Sequence, residues 1–280
     1  MIKLFASDLD GTLLTNHVVD SIVLDAVRTI REQNRNFAVI TGRTMYSHQR
    51  AELGLETFGV YTAAMNGAVL YDPEGTLLYR MEISSSLLTN MLRAFPDLML
   101  EFNACDRVLI RQSRDSFIDF VRRDPNRDAE RFLPSFLKTA EFDAAEEAVL
   151  QAGIVKINAR IPHPDADNAM RQFLQENSAQ AENRPFREDI PGLYEISVVG
   201  AGKEYAVRFL QKALGIQPAQ TAVYGDGPND CEMLRQCPNS FAPENAGALA
   251  KAAASQVIGN CGDHAVPRHM LEALSKSKFP

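Results

Sequence analysis

Cysteine is scarce and scattered: four residues in 280, at positions 105, 231, 237 and 261, none in a CxxC spacing. That argues against a disulfide framework or a thiolate zinc centre and suits reduced thiols in a cytoplasmic protein. The five histidines are dispersed and form no HExxH pair, so imidazole metal chemistry has no anchor. A basic excess is also missing. The formal net charge is −7, and a surface of that sign does not hold a phosphodiester backbone, so no nucleic-acid partner is expected. Small anions stay open, because local charge decides their binding. No apolar run approaches the roughly 18 residues that span a bilayer. The opening "MIKLFASDLD" meets charge too early for a signal peptide, so neither export nor a membrane partner is expected.

The chain does have length and alternation. At 280 residues with 45% apolar content it is long for one core and suits two domains, or one with a large insertion. Residues 2–7, "IKLFAS", read as a strand. Ile22, Ala26, Val27 and Ile30 then share one helical face behind a cap at Asp20 or Ser21. "FAVIT" (37–41) is a buried strand, 44–53 a helix, and "GVYTAAMNGAVLYDPEGTLLYR" a strand and a hairpin turning at "DPEG". Alternation returns after Gly200. A helix from Lys203 is closed by Gly215, followed by strand "TAVYGD", helix "DCEMLRQC", strand "SQVIG" and a helix from about 264 to 274. This pattern is α/β, a parallel sheet with helices on both faces.

The middle differs. "LMLEFN" and "RVLIRQ" read as an antiparallel pair, "GIVKINARI" as another strand and "PDADNAMRQFLQEN" as a helix. "RRDPNRDAER" and "AENRPFREDIPG" suit solvent-facing loops. The expected division is a core of 1–81 and 195–280 around an α+β insertion at 82–194.

The most informative stretch is "SDLDGTLL" (7–14), which ends a buried strand with two carboxylates. Side chains two apart on a strand share a face, so Asp8 and Asp10 point together. The carboxyl end of a strand is where open α/β sheets bind ligands. Thr41 with Gly42 and Arg43, Asn66 with Gly67, and "GDGPND" (225–230) also follow strands. Two unit charges about 4 Å apart repel by roughly 4 kcal/mol at an effective dielectric near 20. Asp8, Asp10, Asp226 and Asp230 therefore need a cation. Oxygen-only ligands favour Mg²⁺, which commonly bridges to phosphate. Thr41 supplies a hydroxyl, Gly11 and Gly42 allow close backbone approach, and Lys203 opens a helix where the dipole disfavours a cation unless an anion is near. A carboxylate attacking phosphorus forms an aspartyl phosphate, and its neighbour can carry the proton.

These residues resemble the haloacid dehalogenase superfamily of phosphatases. "DLDGT" (8–12), "TGR" (41–43), Lys203 and "GDGPND" (225–230) match its four dispersed motifs in order. The resemblance implies a Rossmann-like core, with Asp8 as nucleophile and Asp10 as general acid/base. It puts Thr41 on phosphate and makes Asp226 a Mg²⁺ ligand supported by Asn229 and Asp230. It also implies that Asp10 offers the metal its backbone carbonyl. Around substrate the expected groups are Thr41, Gly42, Arg43, Asn66, Lys203 and Asn229. The insertion resembles the C2-type cap of the Cof-like subgroup, and "MNGA" (65–68) with the hairpin after it resembles that subgroup too; its members act mostly on sugar phosphates and other small phosphorylated metabolites. Two departures stand out: Glu204 follows the lysine where Gly is common, and "APENA" (242–246) replaces "MGNA".

Plainer readings accompany these. Thr41 could cap the next helix, Arg43 could be a surface ion-pair residue, Lys203 a solvated helix lysine, and Asn66 a turn residue. In the insertion, Lys156 and Arg187 are candidate substrate contacts or simple surface charges. Cys231 reads as a packing residue. "GAGKE" is no P-loop, because Ser197 and Glu204 stand where Gly and Ser or Thr are required. A phosphotransferase or mutase with the same intermediate, or a silent ligand sensor, are the alternative functions. Oligomeric state is not legible.

Overall fold

In the computed structural model, residues 1–15, 18–54, 58–187 and 189–276 are described. The chain forms two compact units, Met1–Tyr79 with Gly200–Pro280, and Arg80–Val199.

The first segment supplies β1 (Leu4–Ser7), α1 (Ser21–Glu32), β2 (Asn36–Ile40), α2 (Ser47–Leu53), β3 (Tyr61–Ala64), β4 (Val69–Tyr71) and β5 (Leu77–Arg80). The helix α1 is capped by Asp20, whose carboxylate accepts from the Val23 amide at 3.2 Å. Its buried face is Val23, Ala26, Val27 and Ile30; Ile22, expected there, is half-buried. Spacing of 3, 4 and 7 from Val23 places those four on one stripe, and Ile22 falls one step off it.

The insertion contributes α3 (Ser85–Ala94), β6 (Leu100–Asn103), β7 (Val108–Leu109), α4 (Arg114–Arg123), α5 (Ala129–Phe136), β8 (Ala140–Glu141), α6 (Glu146–Gln151), β9 (Lys156–Arg160), α7 (Pro164–Glu176), β10 (Ala181–Asn183) and β11 (Leu193–Val198). The return segment adds α8 (Lys203–Leu214), β12 (Thr221–Tyr224), α9 (Cys231–Gln236), β13 (Asn239–Pro243), α10 (Ala248–Ala253), β14 (Gln256–Ile258) and α11 (Ala265–Lys276).

The first unit is an eight-stranded sheet ordered β14-β13-β12-β1-β2-β3-β4-β5, parallel from β14 to β3. The β3–β4 pair is antiparallel, and the chain turns at "DPEG" into β5. All four residues of β1 are fully buried between β12 and β2. Each buried Leu or Phe there contributes roughly 1.5–3 kcal/mol relative to exposure. Leu4, Ala6, Ile40 and Val223 pack with Ala206, Val207, Leu210 and Leu234, so α8 and α9 cover one face. On the other side α1 packs with α11 and β2. Because successive strands leave β1 in opposite directions, its carboxyl end is a topological switch point, where such sheets open a crevice.

The second unit is a six-stranded sheet ordered β10-β11-β9-β6-β7-β8, antiparallel except for β7–β8. Leu100, Phe102, Ile157, Ala159, Tyr194 and Ile196 form its apolar face against α3, α6 and α7. The alternate positions, Glu101, Asn103, Lys156, Glu195 and Ser197, are polar and buried. Three expectations change here. The boundary expected at 194/195 falls inside β11, which belongs wholly to this sheet. "RRDPNRDAER" is not simply a solvent loop. Its last residues begin α5, Arg127 donates to Glu101 Oε1 at 2.8 Å, and Asp124 accepts from Arg160 Nε at 3.1 Å. The stretch is polar because it faces the polar side of the sheet. Likewise "AENRPFREDIPG" begins as β10.

Gly67 sets the spacing between the "MNGA" turn and the start of α8. Its φ is +87°, and a Cβ there would lie 2.4 Å from the Gly202 carbonyl oxygen. Gly67→Ala is therefore expected to destabilise the protein by about 1–3 kcal/mol from backbone strain alone, with the displaced carbonyl adding to it. Urea unfolding midpoints of the two proteins check this.

Candidate active site

Four strand ends and one helix start build the site. Asp8 follows β1, and its amide continues the ladder by donating to the Tyr224 carbonyl at 2.9 Å. Lys203, the first residue of α8, is 1% exposed and donates from Nζ to Asp8 Oδ1 and Asp230 Oδ1, each at 2.7 Å. That removes the solvated-lysine reading. Asp230 is equally buried, and its Oδ2 accepts from the Asp226 and Gly227 amides at 3.1 and 2.9 Å. It ties the "GDGPND" loop to its own backbone. Asp226 accepts from the Thr12 hydroxyl at 2.7 Å. One carboxylate oxygen from each of Asp8, Asp226 and Asp230 lies within 4.8 Å of the others.

Electrostatics here are unbalanced. Three carboxylates face one ammonium, which leaves two negative charges uncompensated. Burial pushes the Asp8 carboxyl well above its ordinary range; Lys203 opposes the shift, and Asp230 and Asp226 reinforce it. Asp226 is pushed up to about 6 by burial and then by Asp230. For Lys203, burial favours the neutral amine, but Asp230 and Asp8 outweigh it and hold the proton more tightly than usual. An oxygen-only triangle short of two positive charges fits a hard divalent cation. Asp8, Asp226 and Asp230 would hold it.

The residues expected around phosphate gather at the same edge. Thr41 is buried, and its Oγ1 accepts from the Arg43 amide at 3.1 Å. It caps its own turn rather than α2, whose N-cap is Tyr46. The Met65–Gly67 turn is stitched to this loop: Asn66 N donates to Thr41 O at 3.0 Å and Met65 N to Arg43 O at 2.8 Å. Asn66, at φ 59°, accepts from Asn229 Nδ2 at 2.9 Å, and Gly42 lies beside both. Thr41, Gly42, Asn66 and Asn229 are thus brought together. Arg43 and Asp10 form a separate pair: Arg43 Nε reaches Asp10 Oδ2 and Nη2 reaches Oδ1, each at 2.6 Å. Arg43, expected beside phosphate, is an ion-pair residue here, and its partner is the second aspartate of "DLDGT". Among the described residues the cation triangle does not include the Asp10 carboxylate.

Two contributors lay outside the sequence reading. Thr12 was visible within "DLDGT" but had no assigned partner. Asn245 donates from Nδ2 to the Gly11 carbonyl at 2.7 Å and accepts from the Cys261 amide at 2.9 Å. It pins the turn after Asp10 despite the altered "APENA" context. Pro243 ends β13, which leaves Asn245 free to serve the turn. Glu204 is buried rather than solvent-facing, and it lines a cleft of about 340 Å³ with Val207, Gln211, Met233 and Cys237. Lys156 is buried in a pair with Glu195, and Arg187 is an exposed partner of Asp189. Cys231 packs at 6% exposure, as expected, and the four cysteines form no disulfide with one another.

Residues 5–270 match the family of haloacid dehalogenase-like hydrolases. The chain belongs to that family. YwpJ of Bacillus subtilis (strain 168), a phosphatase, is 28% identical over 291 residues, covering 97% of this chain and 99% of its own. YxeH of the same bacterium is 27% identical over 288 residues, covering 99% and 100%. Among solved structures, the subclass IIB sugar phosphatase BT4131 superposes with a TM-score of 0.76 at 19% identity, covering 96% of this chain and 98% of its own. Structural similarity at that identity speaks for the fold: a Rossmann-like hydrolase core with an inserted α+β unit. No helix among the described residues is long and apolar enough to cross a membrane.

The raised carboxyls of this hydrolase carry a pH signature. Asp226 binds its proton more tightly folded, near 6, than at its ordinary value of 3.8. Its contribution to stability is complete below about pH 4 and is lost as pH rises through about 6. A divalent cation needs the ionised carboxylates, so its stabilisation runs the other way. The rise in melting temperature from a saturating divalent cation is expected to be larger at about pH 7.5 than at about pH 5. Thermal melts with chelator and with cation check it; equal increments would remove the cluster as a cation site.

Proposed function

We propose that the protein hydrolyses small phosphomonoesters, sugar phosphates foremost, through an aspartyl phosphate on Asp8 with Mg²⁺ as the resident cation. One observation carries the reading. Asp8, buried at the switch point, is flanked by one fixed ammonium and two further carboxylates that match a divalent ion. YwpJ as a phosphatase and BT4131 as a sugar phosphatase support the substrate class.

The proposed chemistry has two steps. An Asp8 oxygen attacks phosphorus while the bond to the leaving oxygen breaks, and Asp10 gives that oxygen its proton. Water then attacks the same phosphorus, gives its proton to Asp10, and the Asp8–phosphorus link breaks to release inorganic phosphate. Lys203 neutralises charge beside the nucleophile, and the Thr41 hydroxyl and adjacent amides donate to phosphoryl oxygens. When bound, Mg²⁺ offsets the clustered carboxylates and withdraws charge from the phosphoryl group. The partner is a small phosphorylated metabolite in the cytoplasm, with no nucleic acid and no membrane involved. A bare sensor has no use for this acid set, and a mutase differs only in the acceptor of the phosphoryl group.

Asp8→Asn is expected to lower turnover of phosphomonoesters by at least on the order of 10³-fold while the circular dichroism spectrum stays that of the folded protein. Near wild-type turnover would remove Asp8 as nucleophile. Excess chelator is expected to abolish activity and added Mg²⁺ to restore it; activity indifferent to chelator contradicts the metal role. Product analysis with a second sugar present separates hydrolysis from transfer.

A further inference from the structure

We infer that Arg43 is a positioning residue: its guanidinium holds the Asp10 carboxylate in the orientation from which Asp10 exchanges protons with the leaving group and the attacking water. The inference rests on the phosphatase reading and deepens it by giving Arg43 a role other than gripping phosphate.

The geometry is a fork on a carboxylate. Two bonds of 2.6 Å join Nε and Nη2 to the two oxygens of Asp10, across 33 positions of sequence. Both ends stand on fixed backbone. Leu9 O accepts from the amides of Thr12, Leu13 and Leu14, which closes the turn containing Asp10. The Arg43 amide is held by Thr41 Oγ1, and its carbonyl by the Met65 amide. Asp10 is partly exposed, unlike Asp8 and Asp230. A partly exposed aspartate with no such clamp samples several rotamers, and a displacement of about 1 Å at a reacting group can cost about 10²-fold in rate. A carboxylate has about four lone-pair sites, and a bidentate arginine occupies two. The other two remain for the proton that moves between Asp10 and the reacting oxygens. Lysine, a point charge on a flexible stem, cannot fix both oxygens at once.

The test compares Arg43→Ala, Arg43→Lys, Asp10→Asn and the double variant Arg43→Ala/Asp10→Asn. Each is assayed on an alkyl phosphomonoester and on p-nitrophenyl phosphate, with Mg²⁺ present. With the alkyl ester, Arg43→Ala is expected to lower kcat by about 10- to 100-fold with KM changed less than about threefold. With p-nitrophenyl phosphate, whose leaving group needs no proton, the first nitrophenolate burst should slow by less than about threefold while later turnover slows more. Arg43→Lys should recover only part of kcat. Added to Asp10→Asn, Arg43→Ala should cost less than about threefold more, because residues acting as a unit are not additive. The inference is overturned if Arg43→Ala raises KM tenfold or more for both esters, or costs as much in the Asp10→Asn background as alone; either result makes Arg43 a phosphate ligand. Near wild-type turnover by Asp8→Asn overturns the aspartyl-phosphate reading on Asp8, a separate failure.

Discussion

Everything at the site follows from crowding acidic groups around one buried ammonium. Taking a carboxylate out of water costs several kcal/mol even after relaxation, and only close, well-placed partners offset it. Lys203 supplies two such partnerships, to Asp8 and Asp230, and loses its mobility in doing so. Burial and the negative charge that remains raise the proton affinity of Asp8 and Asp226. The fold thus gathers at one spot a carboxylate cluster that could hold a cation, backed by the hydrophobic burial of β1.

The same arrangement gives two aspartates of one loop different surroundings. Asp8 is buried beside Lys203 and the other acids. Asp10, two residues on, is partly exposed and turned to a guanidinium. Glycine at 11 makes the turn that follows them possible. Its φ is +81°, and a Cβ would stand 2.4 Å from Asp226 Oδ2. Environment rather than residue type therefore distinguishes the two aspartates, as the proposed division between attack and proton carriage requires.

Much of this was legible in the residues, for identifiable reasons. The β-branched and apolar runs of β1, β2 and β12 are buried on both faces, so they stand out without periodicity. The motif residues sit where turn chemistry and charge are both unusual. What hid was of two kinds. β10 and the start of α5 are rich in Glu, Arg and Asn, because the insertion's sheet buries a polar face that pairs internally. Polar composition there reads as loop until the partners are seen. The roles of Arg43 and Asn245 depend on which residue lies opposite, across 33 and 234 positions, and no local pattern encodes that.

The order of strands in the core has a bearing on how the molecule is made. β1 lies between β2 and β12, yet β12 begins only at Thr221, after the entire insertion. During synthesis the N-terminal segment must wait with one edge of its central strand unpaired. An open apolar edge of this kind is prone to join other chains. The ribosome-bound stage is then the interval in which this protein is most vulnerable, and the delivery of β12 ends it.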